Sequence, residues 1–167
     1  MKITPDGAQK IIRSLEEERK QLVERINKLS TFVVAVSEGN PEELRPEFDF
    51  TGTVREIDCI DEKIRKIKHS RNIFNTTTLL PEETITLDEA LVLMSMLNKN
   101  YTYFVKLGNR QAKERQSNTF DNKIEYVYTN YDIQEVKNYG RTMYERMLEL
   151  QSKINLVNST YNFELDM

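Results

Sequence analysis

Cysteine and histidine each occur once in these 167 residues. A lone cysteine, Cys59, cannot form an internal disulfide. Flanked by Ile57 and Ile60, it reads as a small buried or half-buried helix residue in a reducing compartment. One His and one Cys argue against a zinc site built by a single chain. His69 sits beside Lys68 and Arg71. No orienting carboxylate or nucleophile lies at the spacing that a catalytic histidine needs, so a surface or capping role is expected. The five glycines form no phosphate-cradling loop. No apolar run is long enough to span a bilayer. The segment MKITPDGAQK carries no apolar stretch, so no secretory signal and a cytoplasmic location are expected. Positive charge is also short. The net charge of −3 argues against a protein that coats nucleic acid or an anionic membrane.

What is present is periodicity. Ala8, Ile12, Leu15, Leu22, Ile26, Leu29, Val33 and Val36 fall on one helical stripe, broken only at Arg19. The same rhythm returns at Ile133, Val136, Gly140, Met143, Met147, Leu150, Ile154 and Val157. A shorter version runs through Ile57, Ile60, Ile64 and Ile67. Charged residues at 31% and hydrophobic residues at 38% fit narrow apolar seams on wet helices. The expected fold is mainly α. It is an antiparallel helical bundle or coiled coil of long helices with a small β element, in one domain over residues 1–167.

Helices are expected over residues 5–38, 53–73, 86–109 and 131–158. Thr4-Pro5 supplies a cap and a tolerated first-turn proline, and Gly39-Asn40-Pro41 a stop. Thr53 with Glu56 and Thr86 with Glu89 have capping-box spacing. An acidic connector from Glu42 to Asp49 contains Phe48 and Phe50, read as an extended cover for the bundle end. Short strands are expected over residues 76–80 and 83–86, around Pro81-Glu82-Glu83, and over 123–129 and 160–164. Residues 109–122 read as a polar, basic-leaning loop. The first half of the third helix is apolar on most sides, from Leu87 to Leu97. It is expected at the bundle centre or at a subunit interface.

A basic helix ends in Ile67, Asn72 and Thr76. A Thr-rich segment leads into Thr86, Leu87, Glu89, Ala90 and Leu91. A strand with Ile124, Tyr126 and Val127 precedes a heptad helix that exits through Ile154, Asn155, Asn158 and Thr160. This order resembles a septicolysin-like family of small uncharacterised bacterial helical proteins, from about Asp61 onward. Tyr126 stands where that family has Trp, and Pro81-Glu82-Glu83 where it has Asp-Gly. The resemblance implies a fold and no reaction. The family label hints at a cytolysin, for which this sequence has no membrane-inserting hairpin.

Lys63, Arg65, Lys66, Lys68 and Arg71 form a positive block with no acid between them, followed by Asn and Thr. A second basic group is Arg110, Lys113 and Arg115. Arg and Lys neutralise phosphate, Asn and Thr orient it, and Tyr stacks on a base. The candidate ligand-binding residues are therefore Lys66, Arg71, Asn72, Asn75, Thr76, Arg110, Lys113 and Tyr126. The competing reading is a solvated helix end whose lysines complement the helix dipole. Glu16, Glu17 and Glu18 sit in a charged run rather than the inward pattern of a carboxylate metal site, so no metal or cofactor is expected. The expected function is a non-catalytic oligomeric binding protein that sequesters or senses a small anionic ligand such as a nucleotide. The alternatives are a protein-interaction or scaffold module and, third, a metal-dependent or hydrolytic enzyme. A homo-oligomer is expected because the stripe from Ala8 to Val36 spans about 43 Å and outruns its neighbours. No membrane and no nucleic-acid partner is expected.

Overall fold

The computed structural model describes residues 1–35, 37, 39–117 and 124–165. Among the described residues it is mainly helical, with four helices and small antiparallel strand pairs. The order is β1 (Lys2–Ile3), α1 (Pro5–Leu29), α2 (Phe50–Thr77), α3 (Leu87–Gly108), β2 (Lys113–Ser117), β3 (Ile124–Tyr128), α4 (Ile133–Thr160) and β4 (Phe163–Glu164). The chain divides into two compact units. The first is Met1–Asn75 with Asn158–Met167, and the second is Thr76–Val157.

In the first unit α1 and α2 run antiparallel. Gln9 accepts a hydrogen bond from Arg71, Glu16 pairs with Lys68 at 2.9 Å, and Arg19 with Asp61 at 2.7 Å. Thus Arg19, which interrupts the apolar stripe, is taken up by an ion pair. Ala8, Ile12, Ile60, Ile67, Phe74, Phe163 and Leu165 make the core. Phe74 and Phe163 stack with centroids 5.4 Å apart. The two ends of the chain meet: Ile3 pairs with Phe163 and Lys2 with Glu164. The Met1 ammonium donates to the Leu165 carbonyl at 2.9 Å. β4 lies within the expected segment 160–164, while two-residue β1 carries no pattern that sequence can show.

Thr4 caps α1, its side chain accepting from the Gly7 amide at 3.1 Å, with Pro5 in the first turn. The far end differs from expectation. The helix stops at Leu29, well short of residue 38, with Ser30 as its C-cap. Thr31, Val33 and Val34 follow, and a β-branched run loses side-chain freedom in a helix. No burial offsets that loss, since Val33 is 98% exposed. Val36, also placed on the stripe, lies outside the described residues. α2 opens at Phe50 rather than Thr53. Asp49 is the cap, its carboxylate accepting from the Gly52 amide at 2.8 Å, while the buried Thr53 hydroxyl donates to the Asp49 carbonyl. Phe50 therefore belongs to the helix and not to an extended cover. Cys59 is exposed, contrary to the burial expected from its isoleucine neighbours.

In the second unit α3 and α4 run antiparallel. Tyr101 meets Tyr144 with centroids 5.2 Å apart, and Phe104 meets Tyr139 edge-on at 4.9 Å. Thr86 and Glu89 form the capping box, amide to carboxylate at 2.7 Å. Asp132 caps α4 by accepting from the Gln134 and Glu135 amides. Leu80, Leu87, Ala90, Leu150, Ile154 and Val157 are buried. The expected hairpin over residues 76–86 is reduced. α2 extends through Thr77, and only the bridge between Leu79 and Thr86 remains. The Glu83 amide bonds the Leu80 carbonyl across Pro81 and Glu82, whose φ of 60° is left-handed. Lys113–Ser117 is a strand, not a loop. It pairs with Ile124–Tyr128 in a register that sets Arg115 opposite Tyr126. Residues 118–123, including Lys123 of the expected strand and the end of the expected loop, lie outside the described residues.

Candidate functional site

The sequence-derived ligand residues fall in both units. Lys66, Arg71, Asn72 and Asn75 belong to the first unit; Thr76, Arg110, Lys113 and Tyr126 belong to the second. Three members of the positive block have partners within its unit. Lys66 pairs with Glu62 at 2.9 Å and holds that carboxyl below its ordinary range, chiefly by the hydrogen bond. Lys68 is held by Glu16, and Arg71 donates to Gln9. Asn72 is exposed, Asn75 half-buried, Thr76 exposed near the end of α2, and His69 exposed on its surface. Arg110 lies in the turn after α3, its amide donating to the Leu107 carbonyl. Lys113 and Tyr126 do meet. The ammonium stands 4.0 Å from the Tyr126 ring centroid and 5.4 Å from that of Tyr128. All five residues of β3 are exposed, so this pair decorates an open ribbon.

The strongest charged cluster lies in the second unit. Glu83, only 13% exposed, accepts two hydrogen bonds from the Arg146 guanidinium at 2.9 and 2.8 Å and one from Lys153 at 2.7 Å. Glu149 completes it, 2.8 Å from Arg146 and 2.9 Å from Lys153. The fork of Arg146, then the ammonium of Lys153, hold the Glu83 carboxyl down to about 2. Glu83 and Glu149 in turn raise Arg146 and Lys153. A carboxyl that stays ionised to that pH transfers no proton near neutrality. This cluster anchors the loop before α3 to α4. Arg146 and Lys153 are one heptad apart on α4, but Glu83 lies 63 residues from Arg146, which no local pattern reveals.

The concave feature of the same unit is a groove along the α3–α4 pair. One half, about 270 Å³, is lined by Leu91, Met94 and Asn98 of α3 against Met147, Leu148 and Gln151 of α4. The other, about 390 Å³, has Tyr101, Phe104 and Tyr144 with Gly140 and Val136, and carries Lys137, Arg141 and Asn109. Close helix approach at two glycines shapes it. A Cβ at Gly108 would lie 2.9 Å from the Lys137 side chain, and one at Gly140 would lie 3.5 Å from the Phe104 Cβ. Tyr131 ties the groove's basic end to the fold, its hydroxyl donating to the Leu107 carbonyl at 3.0 Å. The α3 residues repeat every three or four positions, and so do those of α4. Sequence reading assigns them to core seams, which is why Lys137 and Arg141 escape notice there.

On another face of α3 the chain leaves apolar surface in water. α3 was expected to be buried on most sides, yet Leu87, Ala90 and Gly108 are its buried residues. Val92 and Met96 are each 56% exposed and Tyr103 58%; Leu148 of α4 is 50% exposed. Among the described residues, no group of three His, Cys, Asp or Glu side chains is placed to hold a metal ion. None of the described helices is long and apolar enough to cross a membrane.

No family model and no curated protein matches the chain. A solved structure does: a functionally unknown conserved protein from Corynebacterium diphtheriae, at a TM-score of 0.66 and 19% identity. The match covers 98% of this chain and 100% of that one. At that identity the likeness concerns the fold alone.

Proposed function

We propose that this chain is a non-catalytic interaction module whose working surface is the exposed apolar face of α3. The observation that carries this reading is the exposure of α3. A helix apolar on most of its circumference normally lies buried, and here Val92, Met96 and Tyr103 face water. An exposed apolar helix face packs against a further helix through anchors at three- and four-residue spacing. The positive block of α2 supports an anion site less well, because Lys66, Lys68 and Arg71 already have partners. The exposed, unbridged Cys59 suits a reducing, cytoplasmic setting.

The test is site-specific photo-cross-linking in the producing cells. A benzophenone amino acid in place of Met96 should give one dominant protein adduct, and the same group in place of exposed Arg65 should give none. Absence of an adduct from position 96 removes the reading.

A second reading rests on the basic half of the groove. Lys137 and Arg141 flank Tyr101 and Tyr144 around about 390 Å³. That set would seat a small aromatic anion, a nucleotide among them, by charge and stacking. Calorimetric titration with mononucleotides tests it. Binding lost in Arg141→Ala supports it, and flat heats remove it.

A further inference from the structure

The basic half of the α3–α4 groove keeps a glycine that the helix pair does not need. Gly140 holds an interior position of α4, on the stripe of Val136, Met143 and Met147. Glycine there costs the helix backbone entropy and buries no side chain. Its missing Cβ has room. The Phe104 Cβ would lie 3.5 Å away, and beyond the helix's own backbone and the chain neighbours nothing else comes within 4 Å. Packing therefore does not call for glycine. The space that a methyl would enter belongs to the pocket of about 390 Å³ that Gly140 lines, a volume typical of small-ligand sites.

The charges of this pocket point the same way. Lys137 and Arg141 line it four residues apart on α4, a spacing at which like charges repel. Among the described residues, no carboxylate lines the pocket or pairs with either cation. Farther along the same helix the pattern is the opposite, with Arg146 and Lys153 held by Glu83 and Glu149. The stem of Lys137 lies against Gly108, where a Cβ would meet its Cγ at 2.9 Å and its Cε at 3.8 Å. A stem already held by packing loses less freedom when its ammonium takes an anion.

We infer that the pocket takes a nucleoside monophosphate, with its ring against Gly140 and the tyrosines and its phosphate on Arg141 and Lys137. This rests on the second reading above and narrows it from aromatic anions in general to a dianion. Tyr101 and Tyr144 meet at one end of the pocket, and Lys137 packs on Gly108 at the other, with Gly140 between. Tyr144 and Lys137 are seven residues apart, about 10 Å along the helix. A flat ring can stack beside the tyrosines and approach the bare backbone at Gly140, from which a methyl would lift it. One anionic group must then answer both cations. A phosphomonoester has close to two charges near neutral pH and three acceptor oxygens, enough for the Arg141 fork and the Lys137 ammonium together. A carboxylate or a cyclic phosphodiester carries one charge and leaves the repulsion between the two cations half answered.

Calorimetric titration of the full chain with AMP, GMP, CMP and UMP tests the assignment, each beside its nucleoside and its cyclic monophosphate, with inorganic phosphate as a further probe. The best-bound monophosphate should exceed its cyclic form roughly ten-fold, on the order of one charge-assisted hydrogen bond. Its nucleoside and inorganic phosphate should each bind more weakly still. Lys137→Gln should abolish the preference for the monophosphate, and Lys137→Arg should keep it. Gly140→Ala should weaken the monophosphate roughly ten-fold while its melting temperature does not fall, which separates a filled pocket from a damaged fold. A cyclic form bound as tightly as its monophosphate overturns the dianion and leaves the second reading standing. Inorganic phosphate bound as tightly as the nucleotide overturns the inference too, as does a Gly140→Ala chain that binds like wild type. Flat heats with monophosphates and cyclic forms alike remove both.

Discussion

Gly140 lies in the interior of α4, where glycine costs a helix about 1 kcal/mol relative to alanine through backbone entropy. It is buried against α3, which suggests that the crossing needs its missing side chain. The geometry says otherwise. A Cβ built there meets the Phe104 Cβ at 3.5 Å, an ordinary van der Waals contact with no clash. Gly140→Ala should therefore keep most of the entropic gain, raising stability by about 0.5–1 kcal/mol and the melting temperature by about 2–4 °C for a chain of this size. Gly108→Ala is the matched control. Its Cβ would fall 2.9 Å from the Lys137 Cγ, so the lysine chain must shift, and α3 ends at this residue, where propensity counts for little. We expect no gain from it. Urea denaturation followed by circular dichroism reads both. A loss of more than about 1 kcal/mol in Gly140→Ala would refute the stated separation of the two helices. Gly140 also lines the basic half of the groove, so its new methyl should weaken any small ligand held there while the fold gains.

Four further outcomes follow from the same geometry. Glu83 is held at about 2, below its ordinary 4.5, so the unfolded chain takes up this proton first on acidification. Its stabilisation is complete above pH 4.5 and is lost as pH falls through about 2. Glu83→Gln should therefore be less stable than wild type at pH 7, with the gap closing across that window in melts taken at stepped pH. Leu150→Ala empties a fully buried position and should cost about 3 kcal/mol, whereas Leu148→Ala, half exposed on the same helix, should cost under 1 kcal/mol by urea titration. Asp49→Ala removes the cap of α2 and should cost about 1 kcal/mol, while Glu56→Ala should cost little, reversing the ranking that the Thr53 capping box implies. Glu82→Gly relieves a left-handed backbone at a turn and should raise the melting temperature; a lowered one would place the strain elsewhere.

The parts of this fold that can be read from sequence are those whose causes are local. Thr4-Pro5 and the Thr86–Glu89 box act within one turn, and both cap their helices. Periodicity places the helices but does not end them. The stripe of α1 continues through Val33 with nothing to bury it, and the β-branched run then stops the helix at Leu29. At the start of α2 two cap candidates compete. Asp49 wins, and Thr53 turns inward to bond its carbonyl. β2 spells Lys-Glu-Arg-Gln-Ser, which has no strand signal of its own and owes its conformation to pairing with β3. The partners of the positive block are hidden for a related reason. Lys68 looks unopposed on α2 because Glu16 lies 52 residues away, and a charge block is judged free only when its tertiary neighbours are ignored.

α3 is where the two kinds of information meet. Its composition leaves two options, the centre of the bundle or a subunit interface. Burial within the chain removes the first option for Val92, Met96 and Tyr103, which stay in water while Leu87 and Ala90 turn inward. Those exposed residues are not interchangeable grease. If their only role were solubility-neutral filler, the charges among them would be mixed at random along the helix. Instead α3 has Asp88 and Glu89 in its first turn and Lys99 and Lys106 in its second half. That segregation suits the helix dipole, which favours acids at the N-terminus and bases at the C-terminus. The dipole acts only in the terminal turns, however, and leaves Lys99 unexplained. It also says nothing about the exposed apolar side chains Val92, Met96 and Tyr103 between the charges. A partner packed on this face would supply the burial of Val92, Met96 and Tyr103 that the chain itself does not.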